Sequence, residues 1–296
     1  MTPTSETAEA SETFGARLAQ VFVERGHLCV GIDPHSWLLT EWGLPDSAAG
    51  AESFGRSVVA AAAGRVGMLK PQVAFFERFG SSGYVALERV LADARDAGLL
   101  VIADVKRGDL GTSVEAYADA WLTPGSSLEV DAITVHPFMG VGSLDSPFQI
   151  AAAHGKGLFV LAATSNPEAF VIQQARVAHG EFTGLTVAQA VLADVAARNA
   201  RSGAVGLGSF GVVLGATLNL ANFGIDTSSV PAKALTPVLA PGFGHQGGDI
   251  MDLISIYGEY AGGVIVSESR SVLSSGPVRI ADAIERRVTE VGAVRG

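Results

Sequence analysis

The residue types and spacing at positions 101–109 point to proton and charge chemistry. The segment reads Val-Ile-Ala-Asp-Val-Lys-Arg-Gly-Asp, so an apolar strand ends in a carboxylate, an ammonium and a second carboxylate, at Asp104, Lys106 and Asp109. Side chains two residues apart on a strand share a face, so Asp104 and Lys106 should point the same way, and Asp109 can fold back to bracket the ammonium. Such a fixed positive charge suits a reaction that builds negative charge on a carbon and then protonates it. The alternative interpretation is a structural salt-bridge cluster at a surface rim.

A second candidate is the glycine-rich segment 241–248, which reads Pro-Gly-Phe-Gly-His-Gln-Gly-Gly. Its four glycines would leave backbone N–H groups free to approach a phosphate, and the helix that follows would offer its N-terminus. Arg270 can add two parallel hydrogen bonds to the same anion. The alternative is a flexible turn beside a surface arginine.

Several other chemistries lack support in the sequence. The segment also matches the G-x-G-x-x-G pattern of dinucleotide-binding folds, but that pattern opens the first β-α unit of a doubly wound sheet, and here it follows the seventh apolar run. The six histidines have no metal-ligand spacing, and one cysteine, Cys29, cannot build a thiolate site, so we expect no metal. Serine-hydrolase and Walker motifs are absent from the sequence.

The elements that would position these residues alternate along the chain. Amphipathic helical stretches separate apolar runs rich in Val, Ile and Leu, as expected for strands buried on both faces. Eight such units predict an α/β fold, a (β/α)8 TIM barrel, with an extra N-terminal helix near 11–25. The runs lie near 27–32, 66–70, 99–104, 131–135, 158–163, 210–215, 235–240 and 263–267.

The barrel prediction makes the strand ends the place to look for function, because active sites of such barrels lie at the carboxyl ends of the strands. Ionisable and hydroxyl residues follow most of the runs, which favours one shared site over unrelated surface residues. These residues are Asp33, Lys70, Asp104, Lys106, His136, Ser165, Thr217 and Arg270.

Composition limits the compartment and the partners. The chain has 296 residues with 48% hydrophobic and 17% charged residues, which suits a large core, and we expect residues 11–296 to form a single catalytic domain. A net charge of −10 argues against binding to nucleic acid or to an anionic membrane. One cysteine, no long apolar run and a polar, acidic start at 1–10 favour a cytoplasmic protein with a disordered N-terminal tail.

Together these motifs resemble the orotidine 5'-phosphate decarboxylase family, in its longer bacterial branch, from about residue 26 to residue 275. The match rests on several motifs jointly, and their combination is highly specific. They are Val30-Gly31-Ile32-Asp33-Pro34, Leu69-Lys70-Pro71-Gln72-Val73-Ala74-Phe75-Phe76-Glu77, Ala103-Asp104-Val105-Lys106-Arg107-Gly108-Asp109, Ala163-Thr164-Ser165-Asn166-Pro167 and the segment 241–248.

The resemblance implies conversion of orotidine 5'-phosphate to uridine 5'-phosphate (UMP) and CO2, the last step of de novo pyrimidine biosynthesis, without metal or cofactor. It implies that Lys106 is the proton donor and that Asp104 lies against the substrate carboxylate. Asp109, Leu110 and Ser113 would reach across from the partner subunit of a homodimer. The implied substrate-binding residues are Asp33 and Lys70 for the ribose hydroxyls, Ser165 for the pyrimidine, Gln246 beside Pro241 for pyrimidine and phosphate, and Arg270 for the phosphate.

The chain departs from the family pattern at three places. Ser267-Glu268-Ser269 stands before Arg270 where many relatives have glycine near the phosphate. Ser113 stands where many have threonine, and the segment 166–209 is long for one helical unit.

Two alternatives stay open at this point. A Mg2+-dependent sugar-phosphate decarboxylase or aldolase of the same barrel group would share the Asp-x-Lys-x-x-Asp pattern. The family that this alternative resembles has an acidic residue at the position of Lys70, so Lys70 argues against it. A non-catalytic phosphate-binding barrel would not need Asp104, Lys106 and Asp109 together.

Overall fold

Eight parallel strands form a closed barrel in the computed structural model, which describes residues 12–230 and 234–295. Each strand pairs with its neighbours in chain order, and the last pairs with the first, so the predicted (β/α)8 topology is confirmed. The N-terminal tail expected at residues 1–10 lies outside the described residues. The strands are β1 (Leu28–Ile32), β2 (Met68–Pro71), β3 (Leu100–Arg107), β4 (Ala132–Val135), β5 (Gly157–Ala163), β6 (Phe210–Leu214), β7 (Val238–Pro241) and β8 (Val264–Glu268).

Helices surround the barrel and bury their apolar faces against the outer faces of the strands. The sixth unit differs: among its described residues it has a 3₁₀ turn, Leu220–Phe223, and no α-helix. No helix in the described part of the chain is long and apolar enough to cross a membrane. The helices are α1 (Phe14–Arg25), α2 (Ser36–Glu41), α3 (Ala48–Ala62), α4 (Ala74–Glu77), α5 (Gly80–Asp96), α6 (Gly111–Leu122), α7 (Asp145–Ala153), α8 (Phe170–Gln173), α9 (Val187–Arg201), α10 (Leu253–Tyr257), α11 (Arg270–Leu273) and α12 (Ile280–Arg295).

The extra N-terminal helix, α1, closes the amino end of the barrel. Phe14 and Leu18 are fully buried and join the cluster of side chains inside the barrel. The ring of Phe14 meets Phe159 edge-on, with centroids 6.0 Å apart. Because apolar side chains fill this end, a ligand would reach the barrel interior from the carboxyl ends of the strands.

Cys29 belongs to the same interior cluster and is fully buried. Burial raises the pKa of its thiol to about 12, so Cys29 is a protonated packing group.

The run predicted as one strand at 235–240 divides into two pieces. Ala234–Leu235 pairs with Gly206–Leu207 in a small parallel ladder outside the barrel, and β7 begins only at Val238. Pro237 lies between the two pieces and has no N–H to continue a ladder. This division explains the difference from the expected boundary.

Candidate active site

The carboxyl ends of the strands surround a polar cavity of about 400 Å³. Its lining comes from strands and loops that are far apart in the sequence, as the barrel prediction requires. Eight of the site residues expected from the sequence line this one cavity: Asp33, Lys70, Asp104, Lys106, Ser165, Pro241, Gln246 and Arg270.

Lys106 reaches the cavity from an irregular end of β3. The register between β3 and β4 shifts between Ala103 and Arg107. Lys106 has a φ of +45°, and among the residues with described backbone it is the only non-glycine residue in the left-handed region. Its N–H donates to Thr134 Oγ1 at 3.0 Å, so β4 supports this conformation. A left-handed non-glycine residue costs about 1–3 kcal/mol and is held only where surrounding structure over-determines it, which happens most at active sites.

Asp104 accepts hydrogen bonds from four side chains. Lys106 Nζ lies 2.5 Å from Oδ1 and Lys70 Nζ lies 3.0 Å from Oδ2. Thr134 Oγ1 donates to Oδ1 at 2.8 Å, and Gln72, with its amide nitrogen turned toward the carboxylate, donates to Oδ2 at 2.6 Å. The carboxylate therefore fixes two ammonium groups on either side of itself.

Exposure separates the two lysines that share Asp104. The side chain of Lys106 is 46% exposed, whereas those of Lys70 and Asp104 are only 9% and 10% exposed. Lys106 is thus the more accessible ammonium and Lys70 the more buried one, although both line the cavity.

The charges of the network shift two pKa values. Burial by itself would raise the pKa of Asp104, but the ammonium groups of Lys70 and Lys106 outweigh it and hold this pKa below its usual range. Burial by itself would lower the pKa of Lys70, but the carboxylates of Asp104 and Asp33 raise it above its ordinary value. Both groups are therefore charged at neutral pH.

Asp33, at the end of β1, has an unused acceptor. Its Oδ1 is buried and accepts no hydrogen bond from any side chain or backbone group in the described ranges 12–230 and 234–295. A buried acceptor without a donor is costly, so this oxygen fits a ligand that brings a hydroxyl group.

His35 follows Asp33 and also lines the cavity, although sequence reasoning missed it. Its ring lies against Phe75 with centroids 4.1 Å apart. Burial lowers the pKa of His35, the charges of Arg270 and Arg78 lower it further, and the charge of Asp33 raises it. The net shift is downward, so the imidazole is neutral at pH 7. Its position after a strand end was the available signal.

The glycine-rich turn folds differently from the expected backbone cradle. The N–H groups of Gly244, Gly247 and Gly248 donate to carbonyls within the turn, at 2.8, 2.9 and 3.0 Å. Asp249 also caps the residues that follow, because its side chain accepts from Met251 N at 3.0 Å. The expectation of free glycine N–H groups and an open helix N-terminus is therefore wrong for these donors in this structure. Gln246 and Arg270 are the donors expected from the sequence that do line the cavity here.

Asp109, Leu110 and Ser113 lie outside the cavity lining, in the loop and first turn that follow β3. Asp109 accepts from Leu110 N at 2.8 Å and makes no ion pair with Lys106 within the described chain. Leu110 is 58% exposed. The bracketing of Lys106 by Asp109 of its own chain is therefore not present, and an approach from a second copy stays a prediction.

Two contacts of the site were not foreseen from the sequence. Thr134 and Gln72 both bind Asp104, yet Thr134 sits inside an apolar run and Gln72 has no charge to mark it. A buried hydroxyl in the middle of β4 was the only local sign. Among the residues with described placement, no group of three His, Cys, Asp or Glu side chains is arranged to hold a metal ion.

A closed parallel barrel with a charged cavity at the carboxyl ends of its strands defines the class: a TIM barrel that places lysine and aspartate side chains where the active sites of such barrels lie. The model of the family described as "Orotidine 5'-phosphate decarboxylase / HUMPS family" matches residues 26–283. The chain belongs to this family.

Curated relatives and a solved structure agree with the family match. The chain is 50% identical over 266 residues to an orotidine 5'-phosphate decarboxylase of Salinispora tropica, covering 90% of this chain and 91% of the relative. It is 52% identical over 260 residues to one of a Nocardioides species, covering 88% and 91%. A Streptomyces avermitilis crystal structure described as a candidate for the same enzyme superposes with a TM-score of 0.88 at 45% identity, covering 97% of each chain.

Proposed function

We propose that this protein decarboxylates orotidine 5'-phosphate to UMP and CO2, the last step of de novo pyrimidine biosynthesis, without metal or cofactor. The observation that carries the proposal is the Lys106 ammonium. It is held 2.5 Å from Asp104 by a left-handed backbone, and it lines the same cavity as Arg270. Family membership supports the same reaction.

Binding of the substrate is assigned to the residues that line the cavity. Asp33 would accept from the ribose hydroxyls through its unpaired Oδ1, and Lys70, beside it, would donate to them. Ser165 would form hydrogen bonds with the edge of the pyrimidine. Gln246, beside Pro241, would bridge pyrimidine and phosphate, and Arg270 would bind the phosphate as a bidentate donor.

Breaking the bond between C6 and the carboxylate leaves the electron pair on C6 and releases CO2. No carbonyl is adjacent to delocalise that charge, so it must be stabilised by placed positive charge in a site that excludes water. The ammonium of Lys106 supplies this charge and then gives a proton to C6, which yields UMP and a neutral amine. The amine regains its proton from solvent.

Asp104 would lie near the departing carboxylate. Two like charges in contact repel, and the repulsion is relieved as CO2 leaves, which is a form of ground-state destabilisation. Contacts to the remote phosphate would supply the binding energy that holds the substrate against this repulsion.

We also propose a cytoplasmic homodimer with shared active sites, in which residues 11–296 act as one catalytic domain. Asp109, Leu110 and Ser113 of one chain would complete the site of the partner. The exposure of Leu110, Tyr117 and Phe138, at 58%, 41% and 74%, supports burial of this face by a second copy.

The test is to incubate the purified protein with orotidine 5'-phosphate in EDTA and to follow the loss of pyrimidine absorbance. Turnover in the chelator is expected and would exclude the Mg2+-dependent sugar-phosphate alternative. A folded protein that binds the nucleotide without turnover would overturn the proposal in favour of a binding barrel.

A further inference from the structure

A buried carboxylate lies at the end of the cavity where the phosphate would bind. Glu268 ends β8, its side chain has no exposed surface, and it lines the cavity together with Gln246 and Arg270. A Cβ atom added to Gly244 would come within 3.3 Å of Glu268 Oε2, so this carboxylate lies directly against the glycine-rich turn. Glu268 is the middle residue of Ser267-Glu268-Ser269, the segment in which the chain departs from the family pattern.

An unpaired carboxylate at this place would oppose the proposed function. A phosphate in the site carries negative charge, and like charges a few ångströms apart in a partly buried site repel strongly. The Glu268 carboxylate must therefore be neutralised locally if Gln246 and Arg270 are to hold an anion.

Arg287 is the group that neutralises it. It reaches from the last helix, α12, with Nε 3.0 Å from Glu268 Oε2 and Nη2 in contact with Oε1, so both carboxylate oxygens are engaged. Its Nη1 also contacts Glu290, whose side chain is 42% exposed, whereas Glu268 is the buried partner. Ser271 donates its hydroxyl to Oε2, which ties the first turn of α11 to the same carboxylate. Arg270 starts α11, and the cluster therefore also sets the direction from which Arg270 enters the cavity.

We propose that Arg287 is a positioning residue for phosphate binding: it cancels the charge of Glu268 beneath the glycine-rich turn and, through Ser271, fixes the helix that presents Arg270. This inference rests on the proposed function. It adds a residue on the C-terminal helix, outside the cavity, to the determinants of nucleotide affinity.

The test compares Arg287→Met, Glu268→Gln and the double variant for binding of UMP and of inorganic phosphate by titration calorimetry. We expect Arg287→Met to bind both ligands at least ten-fold more weakly, and the double variant to regain most of that loss because the unpaired carboxylate is gone. A merely structural ion pair would weaken the binding of uridine, which has no phosphate, as much as that of UMP, whereas the proposal predicts that uridine binding changes little. Arg65→Met is the matched control, because Arg65 pairs with Glu285 on the same helix at the surface.

If Arg287→Met does not fold, Arg287→Gln takes its place, because its amide can still donate a hydrogen bond to Glu268 but carries no charge. The proposal then predicts UMP binding at least ten-fold weaker than wild type, and wild-type affinity would overturn it. Wild-type affinity in Arg287→Met, or no regain in the double variant, would also overturn it. Turnover of orotidine 5'-phosphate by the wild type is measured in parallel. Its absence would refute the proposed function, whereas its presence with unaffected variants would refute only this inference.

Discussion

Asp104 is the residue that pairs with both lysines of the site. Its two oxygens bind the ammonium groups of Lys70 and Lys106, and Thr134 and Gln72 complete its hydrogen bonds. The sequence pattern predicted that Asp104 and Lys106 share one face of a strand, because this follows from their spacing within the strand itself. It did not predict Thr134, Gln72 or the left-handed backbone of Lys106, because these depend on how β3 meets its neighbours.

Replacing Asp104 by Asn should destabilise the protein at neutral pH. The change leaves the Lys70 ammonium buried without its main partner, and breaking a buried pair in this way costs about 3 kcal/mol. Because the pKa of Asp104 is lowered in the folded protein, this carboxylate stabilises the fold fully above its unfolded pKa of about 3.9. The stabilisation is lost as the pH falls from there through the folded pKa.

Urea unfolding at pH 7 and at pH 3 measures this difference. The gap in unfolding free energy between wild type and Asp104→Asn should shrink at the lower pH. A variant as stable as wild type at pH 7 would show that the network does not stabilise the fold.

Strand β3 is the element that carries Asp104 and Lys106 to the cavity. Its first half pairs regularly, and its last residues leave the register to place Lys106 over the cavity. The periodicity of apolar residues predicted the eight strands and α1, since burial on both faces dictates their composition. It could not predict the division of the run at 235–240, because the pairing of Leu235 with Leu207 is a tertiary contact.

Gly108→Ala should disrupt catalysis through this strand. A Cβ at position 108 would lie 2.4 Å from the backbone oxygen of His136, so the loop after Lys106 must move. Displacement of a reacting group by about 1 Å can cost ~10²-fold in rate, and we expect a fall in kcat of that order with the barrel intact by circular dichroism.

Gly142→Ala is the control, because a Cβ there meets no atom within 4 Å and the residue has no positive φ. Unchanged kcat in Gly108→Ala would mean that the end of β3 tolerates movement.

The whole molecule is an acidic barrel, with a net charge of −10, whose cavity brings three cations together with three carboxylates. The cations are Lys70, Lys106 and Arg270, and the carboxylates are Asp33, Asp104 and Glu268. Its length, composition and strand count were sufficient to predict the architecture. The proposed contribution of a second copy could not be derived from spacing, and it rests on the family resemblance and on the exposed residues beside β3.

Leu110→Glu should separate the two copies. Burying an unpaired carboxylate in an interface is costly, so we expect the dimer dissociation constant to rise by at least ~100-fold and activity to fall at low protein concentration. Sedimentation velocity over a concentration series measures the first effect.

Val205→Glu, at an 88% exposed site next to the small ladder outside the barrel, provides the control. A wild-type protein that sediments as a monomer while fully active would refute the shared site.

The most direct test of the central claim is the turnover of Lys106→Ala. The account predicts a fall in kcat of more than ~10²-fold for loss of the main charge and proton donor, with an unchanged circular dichroism spectrum and UMP affinity within a few-fold of wild type. Arg270→Ala should instead lower kcat/KM mainly by raising KM. A Lys106→Ala protein with the kcat of wild type would contradict the account.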